Sequence, residues 1–170
     1  MGDYLLSEDF AKQAGYKSAS ELSAPRDLAV PLAADFRETV KATPGSLTGT
    51  AEQQQAATEA AARINTAIDQ AEALINHALS SGGYETPATT AQDMPVLAGI
   101  ARCLALVSLY TDADPPEIVG KEKDAAMAYL KMIREGDVVI DGADRAIAGE
   151  IKVRSRTQVY TAAVLAGLPG

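Results

Sequence analysis

The hydrophobic and polar positions of residues 51–80 follow the period of an α-helix over a long stretch. The run contains neither Gly nor Pro, and at about 1.5 Å per residue it would form a helix about 45 Å long. Thr50 or Thr48 is the expected N-cap. Apolar spacing predicts the buried face: Ala57, Ala60, Ile64, Ala67, Ile68, Ala71, Leu74, Ile75 and Leu79. The opposite, solvated face is predicted to carry Glu59, Arg63, Asp69, Gln70 and Glu72.

Shorter helices are predicted before this segment. Ser7 has the chemistry of an N-cap, and Gly15 that of a helix stop. Ser18 and Glu21 have the spacing of a capping box, which predicts a second short helix. Apolar residues then recur every four positions and predict a third helix over residues 31–41.

Two further helices are predicted after the long one. Residues 95–110 are apolar nearly all round, which favours a position at the centre of a helical bundle. The last helix is expected to start at Asp114, an N-cap, and to stop at Gly136. Its apolar spacing predicts a buried stripe of Ile118, Ala125, Tyr129, Met132 and Ile133.

The C-terminal segment has a different pattern. Residues 138–140 form a short β-like run, and residues 151–160 alternate apolar and polar side chains as strands do. The chain is therefore predicted to be mainly α: a small helical bundle around the long helix (about residues 51–80), with a helical domain over residues 1–141 and a short β-like C-terminal arm over residues 142–170. The arm could pair within its own chain or with a neighbouring subunit, and the pattern leaves both open.

Composition restricts the classes of function. The 170 residues are 47% hydrophobic but only 5% aromatic, and the net charge is −8. An acidic chain is a poor general binder of phosphate backbones or anionic membranes. A single cysteine excludes an intrachain disulfide and favours a reducing compartment. The most apolar stretch, residues 96–110, is shorter than the roughly 20 residues of a membrane span.

Candidate catalytic groups are few. A Cys103–His77 nucleophile pair is conceivable, but Cys103 lies within an apolar helix, where cysteine is typically a small buried hydrophobe. His77 is better explained as a helix-end or interface residue. Asp112 and Asp114 lack the further oxygen ligands of a calcium loop, so capping is the better explanation. We therefore expect no catalytic residue, cofactor or metal site.

The order of elements resembles a family of tailed-phage proteins. Four pieces carry the resemblance: INTAIDQAEALINHAL (residues 64–79), Tyr84 with Pro87, IARCLALVSLY (residues 100–110) and AAMAYLKMIREG (residues 125–136). Together they cover roughly residues 53–141. In this order they are similar to gene product thirty-six of Mu-like phages and prophages, which in turn resembles the head–tail connector, or head-completion, adaptors.

The resemblance implies a structural virion protein. Such adaptors form a homo-oligomeric ring below the portal protein, continue the DNA channel and dock the tail or tail-completion protein. They are assembled in the host cytoplasm and reside at the head–tail junction, without a membrane. The residues expected to contact partners are Glu52, Gln53, Tyr84, Lys152, Arg154, Arg156 and Tyr160.

Two alternatives stay open. One is a helical protein-binding module of a phage or prophage that acts outside the virion, in host interaction or regulation. The other is an enzyme that uses Cys103 or His77. Within the connector hypothesis, the polar first turns of the long helix (residues 52–55) are expected to project from the bundle toward a neighbour or the channel.

Overall fold

Six α-helices make up the described part of the protein. The computed structural model describes residues 4–24, 30–41, 45–88, 93–110 and 115–143. In chain order these residues form α1 (Ser7–Ala14), α2 (Tyr16–Ser23), α3 (Ala33–Thr39), α4 (Ala51–Ser81), α5 (Met94–Leu109) and α6 (Glu117–Glu135). No β-strand occurs among the described residues. The predicted mainly α class, built around one long helix, is confirmed.

The long helix begins and ends at local signals in the sequence. Thr50 is the N-cap: its Oγ1 accepts a hydrogen bond from the Gln53 backbone N–H (3.3 Å). The Gln53 side chain in return accepts from the Thr50 backbone N–H (3.0 Å), which completes a capping box. Gly82 caps the C-terminus, and Gly83 follows with a φ of +83°. The 31 residues between span about 46 Å.

Helix α4, and not α5, is the centre of the bundle. It packs against each of the five other helices that the structure describes, whereas α5 packs mainly against α4 and α6. The predicted buried face of α4 is confirmed except at Leu74, which is 46% exposed. Many of its buried positions are Ala, and small side chains let the neighbouring helices approach closely. The prediction of a central α5 is wrong because α5 leaves Val96 and Arg102 exposed.

Two polar residues of α4 predicted to face solvent are instead packed against the N-terminal segment. Glu72 is buried, and its Oε1 accepts hydrogen bonds from the backbone N–H groups of Tyr4 (2.8 Å) and Leu5 (3.1 Å). Arg63 is half-buried and donates to the carbonyl oxygens of Ser23 (3.2 Å) and Ala24 (2.7 Å). Both side chains satisfy backbone groups that the ends of the first segments leave unpaired.

The first two helices begin close to the predicted positions. Ser7 is the first helical residue of α1 and not its N-cap, which is Leu6. Gly15, with a φ of +81°, ends α1 as predicted. Helix α2 starts directly after it at Tyr16, so the capping box proposed for Ser18 does not form the helix start.

The loop before α4 is fastened to α3 by a buried carboxylate. Asp35 Oδ1 accepts from the backbone N–H (2.8 Å) and hydroxyl (3.2 Å) of Thr48. Its Oδ2 accepts from the Gly49 N–H (2.9 Å). A Cβ at Gly49 would collide with that carboxylate, so glycine is needed for the close approach. The pKa of Asp35 lies below its ordinary value, and the hydrogen bond from the Thr48 backbone N–H is the largest cause.

Helix α6 buries a different stripe from the predicted one. Gly136 ends the helix in a left-handed conformation as expected, while Asp114 lies outside the described residues. The buried positions are Val119, Ala126, Leu130 and Ile133. Of the predicted stripe only Ile133 is buried; Ile118 is 68% exposed and Met132 is 38% exposed. The helix is thus rotated so that a second apolar stripe faces outward.

Residues 137–143, which follow α6, fold back without forming a strand. The Ile140 backbone N–H donates to Tyr84 Oη (3.1 Å), and the Asp141 N–H donates to Asp93 Oδ2 (3.0 Å). The predicted β-like run over residues 138–140 is therefore wrong. Most of the predicted C-terminal arm, residues 144–170, lies outside the described residues. Among the helices that the structure describes, none combines the length and apolar character of a membrane span.

Candidate assembly surfaces

The two residues considered for nucleophilic chemistry lie in unlike environments. Cys103 is buried in α5, and burial, with a smaller contribution from Glu122, raises the pKa of its thiol, which disfavours the reactive thiolate. His77 is exposed on α4. The described residues contain no group of His, Cys, Asp or Glu side chains that could hold a metal ion. These positions give no support to the Cys103 nucleophile hypothesis.

Of the seven residues predicted to contact partners, the structure describes Glu52, Gln53 and Tyr84. Glu52 is exposed in the first turn of α4, while Gln53 is half-buried and engaged in the capping box. Tyr84 is buried beneath the segment after α6, so a partner-contact role for its side chain is not supported in the folded subunit. Lys152, Arg154, Arg156 and Tyr160 lie outside the described residues.

The polar start of α4 is packed against its own subunit. The Gln54 side-chain amide donates to the Gly49 carbonyl oxygen (2.8 Å), and Ala56 and Ala57 are already fully buried. The expectation that this turn, residues 52–55, projects from the bundle is therefore wrong. Glu52 and Gln55 are the two exposed side chains of that turn.

A groove between α4 and α6 combines apolar and basic side chains. Its free volume is about 410 Å³. Leu74 and Met127 are 46% and 43% exposed, which is high for large apolar residues of a helical bundle. His77, Lys131 and Arg134 are exposed at its edges. We call this surface the basic groove; it is lined by Leu74, His77, Ala78, Met127, Ala128, Leu130, Lys131 and Arg134.

The other side of α6 carries four of the five residues that the sequence pattern assigned to the core, together with Glu122. We call this set the outer stripe; it consists of Ile118, Glu122, Ala125, Tyr129 and Met132. It borders a shallow groove of about 360 Å³ between α5 and α6, in which Val96, Gly99 and Arg102 face Glu122 and Tyr129. Tyr129 is half-buried, and burial, with the nearby Asp93 carboxylate, raises the pKa of its hydroxyl.

The basic groove and the outer stripe lie on opposite flanks of one helix. At 3.6 residues per turn, positions 118, 125 and 132 point roughly 160° away from positions 127, 131 and 134. The buried stripe of α6 runs between the two flanks. Helix α6 therefore presents two chemically different surfaces while its third side anchors it to the bundle.

A third groove lies between the N-terminal helices and α5. It has about 490 Å³ of free volume and an apolar lining that includes Phe10, Leu22, Leu106 and Tyr110. Residues 25–29 and 111–114, which adjoin Leu22 and Tyr110 in the chain, are outside the described residues.

Comparison with known proteins identifies the family. No curated protein and no solved structure matches the chain. The family model described as Bacteriophage Mu, Gp36 matches residues 33–155, from the start of α3 to beyond α6. The resemblance to gene product thirty-six of Mu-like phages, drawn from residues 53–141, is confirmed, and the match extends further in both directions. The chain therefore belongs to the Bacteriophage Mu Gp36 family.

Proposed function

We propose that this phage-family protein is a structural subunit of a head–tail connector that forms a homo-oligomeric ring below the portal. The observation that carries the proposal is the exposure of large apolar side chains on both flanks of α6. Ile118 is 68% exposed, and Leu74, Met127 and Met132 are each more than a third exposed. Apolar patches rimmed by polar residues mark surfaces that bind other proteins.

The proposed ring continues the DNA channel. DNA must be able to move along the channel wall. Lys and Arg side chains would bind its phosphates and release their counterions, so a wall rich in them would retain the DNA. A net charge of −8 suits that requirement, whereas a basic protein would retain the DNA. The partners proposed for this subunit are further copies of itself, the portal protein and a tail or tail-completion protein, at the head–tail junction of the virion.

A second candidate function is a non-virion helical module that binds a phage or host protein. The basic groove favours this second function, because an apolar groove between two helices is a common binding site for an amphipathic helix. The two functions differ in where the protein is found. A connector subunit stays with the purified particle, whereas a regulatory module is left behind in the lysate.

The decisive experiment combines particle composition with assembly on the portal. Mass spectrometry of purified particles should detect this protein in ring stoichiometry, and electron microscopy should show extra ring density on purified portal after mixing. Absence from particles, together with failure to bind portal or tail-completion proteins, would refute the connector function. A stable complex with a host protein instead would favour the second candidate.

A further inference from the structure

We infer that the basic groove of one subunit binds the outer stripe of a neighbouring copy of the same chain. The contact is head-to-tail, because the two surfaces are different and lie on opposite flanks of α6. This inference deepens the proposed connector function by naming its subunit interface. It rests on that function only in taking the partner to be a second copy.

The side chains of the basic groove favour a partner surface that is apolar and carries negative charge. Leu74 and Met127 supply apolar contact area, and Lys131 and Arg134 supply positive charge beside it. Lys123 is exposed four residues before Met127 on the same flank, next to the exposed Asp124. Lys131 is held only loosely within its own subunit, 3.9 Å from the Glu135 carboxylate.

The outer stripe has the matching chemistry. Its positions are spaced by four, three, four and three residues, the spacing of a seam between packed helices. Glu122 lies within the stripe, and Glu117, which pairs with Lys121 (2.6 Å), precedes it at the exposed start of α6. Asp93 adds a carboxylate near Tyr129, and Arg102 is the cation on the α5 side. Ala125 and Gly99 keep the surface shallow enough for a helix to approach.

Charge argues against two other occupants of the groove. Residues 151–170 contain Lys152, Arg154 and Arg156 but no acidic residue, so this segment is repelled by a basic groove. Nucleic acid would meet the exposed side chains of Leu74 and Met127 in the middle of its contact. A second copy supplies apolar groups and carboxylates on one helix face.

The arrangement also satisfies the geometry of ring formation. A contact between two different surfaces leaves one free groove and one free stripe at the ends of any chain of subunits. Such a chain closes into a ring where the rotation between neighbouring subunits allows it, and otherwise grows as an open filament. A single surface that contacted its own copy across a two-fold axis would stop at a dimer.

The test uses charge reversal on the full-length protein, followed by sedimentation velocity. The groove-reversed variant carries Lys131→Glu and Arg134→Glu; the stripe-reversed variant carries Glu117→Lys and Glu122→Lys. Each variant alone places like charges across the contact and should weaken self-association by roughly tenfold or more. An equimolar mixture should recover it, because every groove then faces a stripe of opposite charge. Circular dichroism verifies that each variant is folded.

The control and the contrary outcomes are equally specific. Glu59→Lys with Asp69→Lys reverses two exposed acids elsewhere on α4 and should leave assembly unchanged. Wild-type protein that stays monomeric, variants that assemble like wild type, or a mixture that fails to recover would each overturn this interface. The connector function would still stand if the protein joined the portal ring, since that result is measured separately.

Discussion

Asp35 shows how a single buried carboxylate controls the junction between α3 and α4. Its three hydrogen bonds all favour the ionised form, so its folded-state pKa lies below the ordinary value of 3.8. Because folding lowers this pKa, the ionised carboxylate stabilises the fold at pH values above 3.8. The stabilisation is lost as the pH falls through the folded-state pKa.

The Asp35→Asn substitution should therefore destabilise the protein near pH 7. The Asn side chain has one acceptor oxygen, so its NH2 group would be turned toward one of the two backbone N–H groups that Asp35 accepts from. The difference from wild type should shrink as the pH falls below 3.8, the ordinary value of the carboxyl. Urea unfolding at a series of pH values measures both effects. A difference that is constant with pH would show that the loss arises from packing and not from ionisation.

Glu72 is the residue that joins the N-terminus to the middle of α4. Removing its side chain with Glu72→Ala leaves the buried backbone N–H groups of Tyr4 and Leu5 without their acceptor. The expected cost is about 2 kcal/mol of unfolding free energy. Glu72→Gln keeps an acceptor oxygen and should recover part of it. The exposed Glu59→Ala is the control, and a Glu72→Ala variant as stable as that control would contradict the assigned role.

At the scale of elements, α6 allows a direct test of which stripe belongs to the core. Ile133→Ala removes a fully buried side chain and should cost about 2–5 kcal/mol. Ile118→Ala changes a side chain that is 68% exposed and should alter stability by less than about 0.5 kcal/mol. Urea unfolding should be done in the groove-reversed background, so that self-association does not add to the measured stability. Equal costs at the two positions would show that the outer stripe is also packed within the subunit.

The same helix shows what sequence could and could not determine. Its end at Gly136 and the start of α4 at Thr50 follow from local chemistry, since caps and stops act through neighbouring residues. The choice of buried stripe does not, because Ile118, Ala125 and Met132 repeat as regularly as Val119, Ala126 and Ile133. Contact with α4 and α5 decides between them, and that contact is not encoded in the periodicity of α6.

Polar residues on α4 were mispredicted for a related reason. Helical periodicity placed Glu72 and Arg63 on the outer face, where charged side chains normally lie. Their partners are backbone groups of residues 4–5 and 23–24, which are distant in the chain. A charged side chain on a helix can bond to backbone groups elsewhere in the chain. The helical pattern does not show where in the sequence those backbone groups lie. The basic groove was missed because its residues come from two helices whose pairing only the fold supplies.

At the scale of the whole molecule, charge is distributed unevenly between the helical domain and the C-terminal segment. Lys152, Arg154 and Arg156 lie in a stretch without acidic residues, on a chain whose net charge is −8. The basic groove uses two further cations, Lys131 and Arg134, in the C-terminal half of α6. In the proposed ring, the two basic regions of this acidic chain would give each subunit two ways to attract acidic surfaces of a neighbour, and truncation separates them.

Deleting residues 151–170 tests the second of these regions. Far-UV circular dichroism should stay close to that of wild type, because the last described helix ends at Glu135. Self-association should weaken, since the loss of three positive charges changes the net charge from −8 to −11 and increases repulsion between subunits. Replacing Lys152, Arg154 and Arg156 by Gln in the full chain separates charge from chain length. If truncation weakens assembly and the Gln variant does not, the segment acts through its apolar side chains; loss of the helical signal would instead make it part of the core.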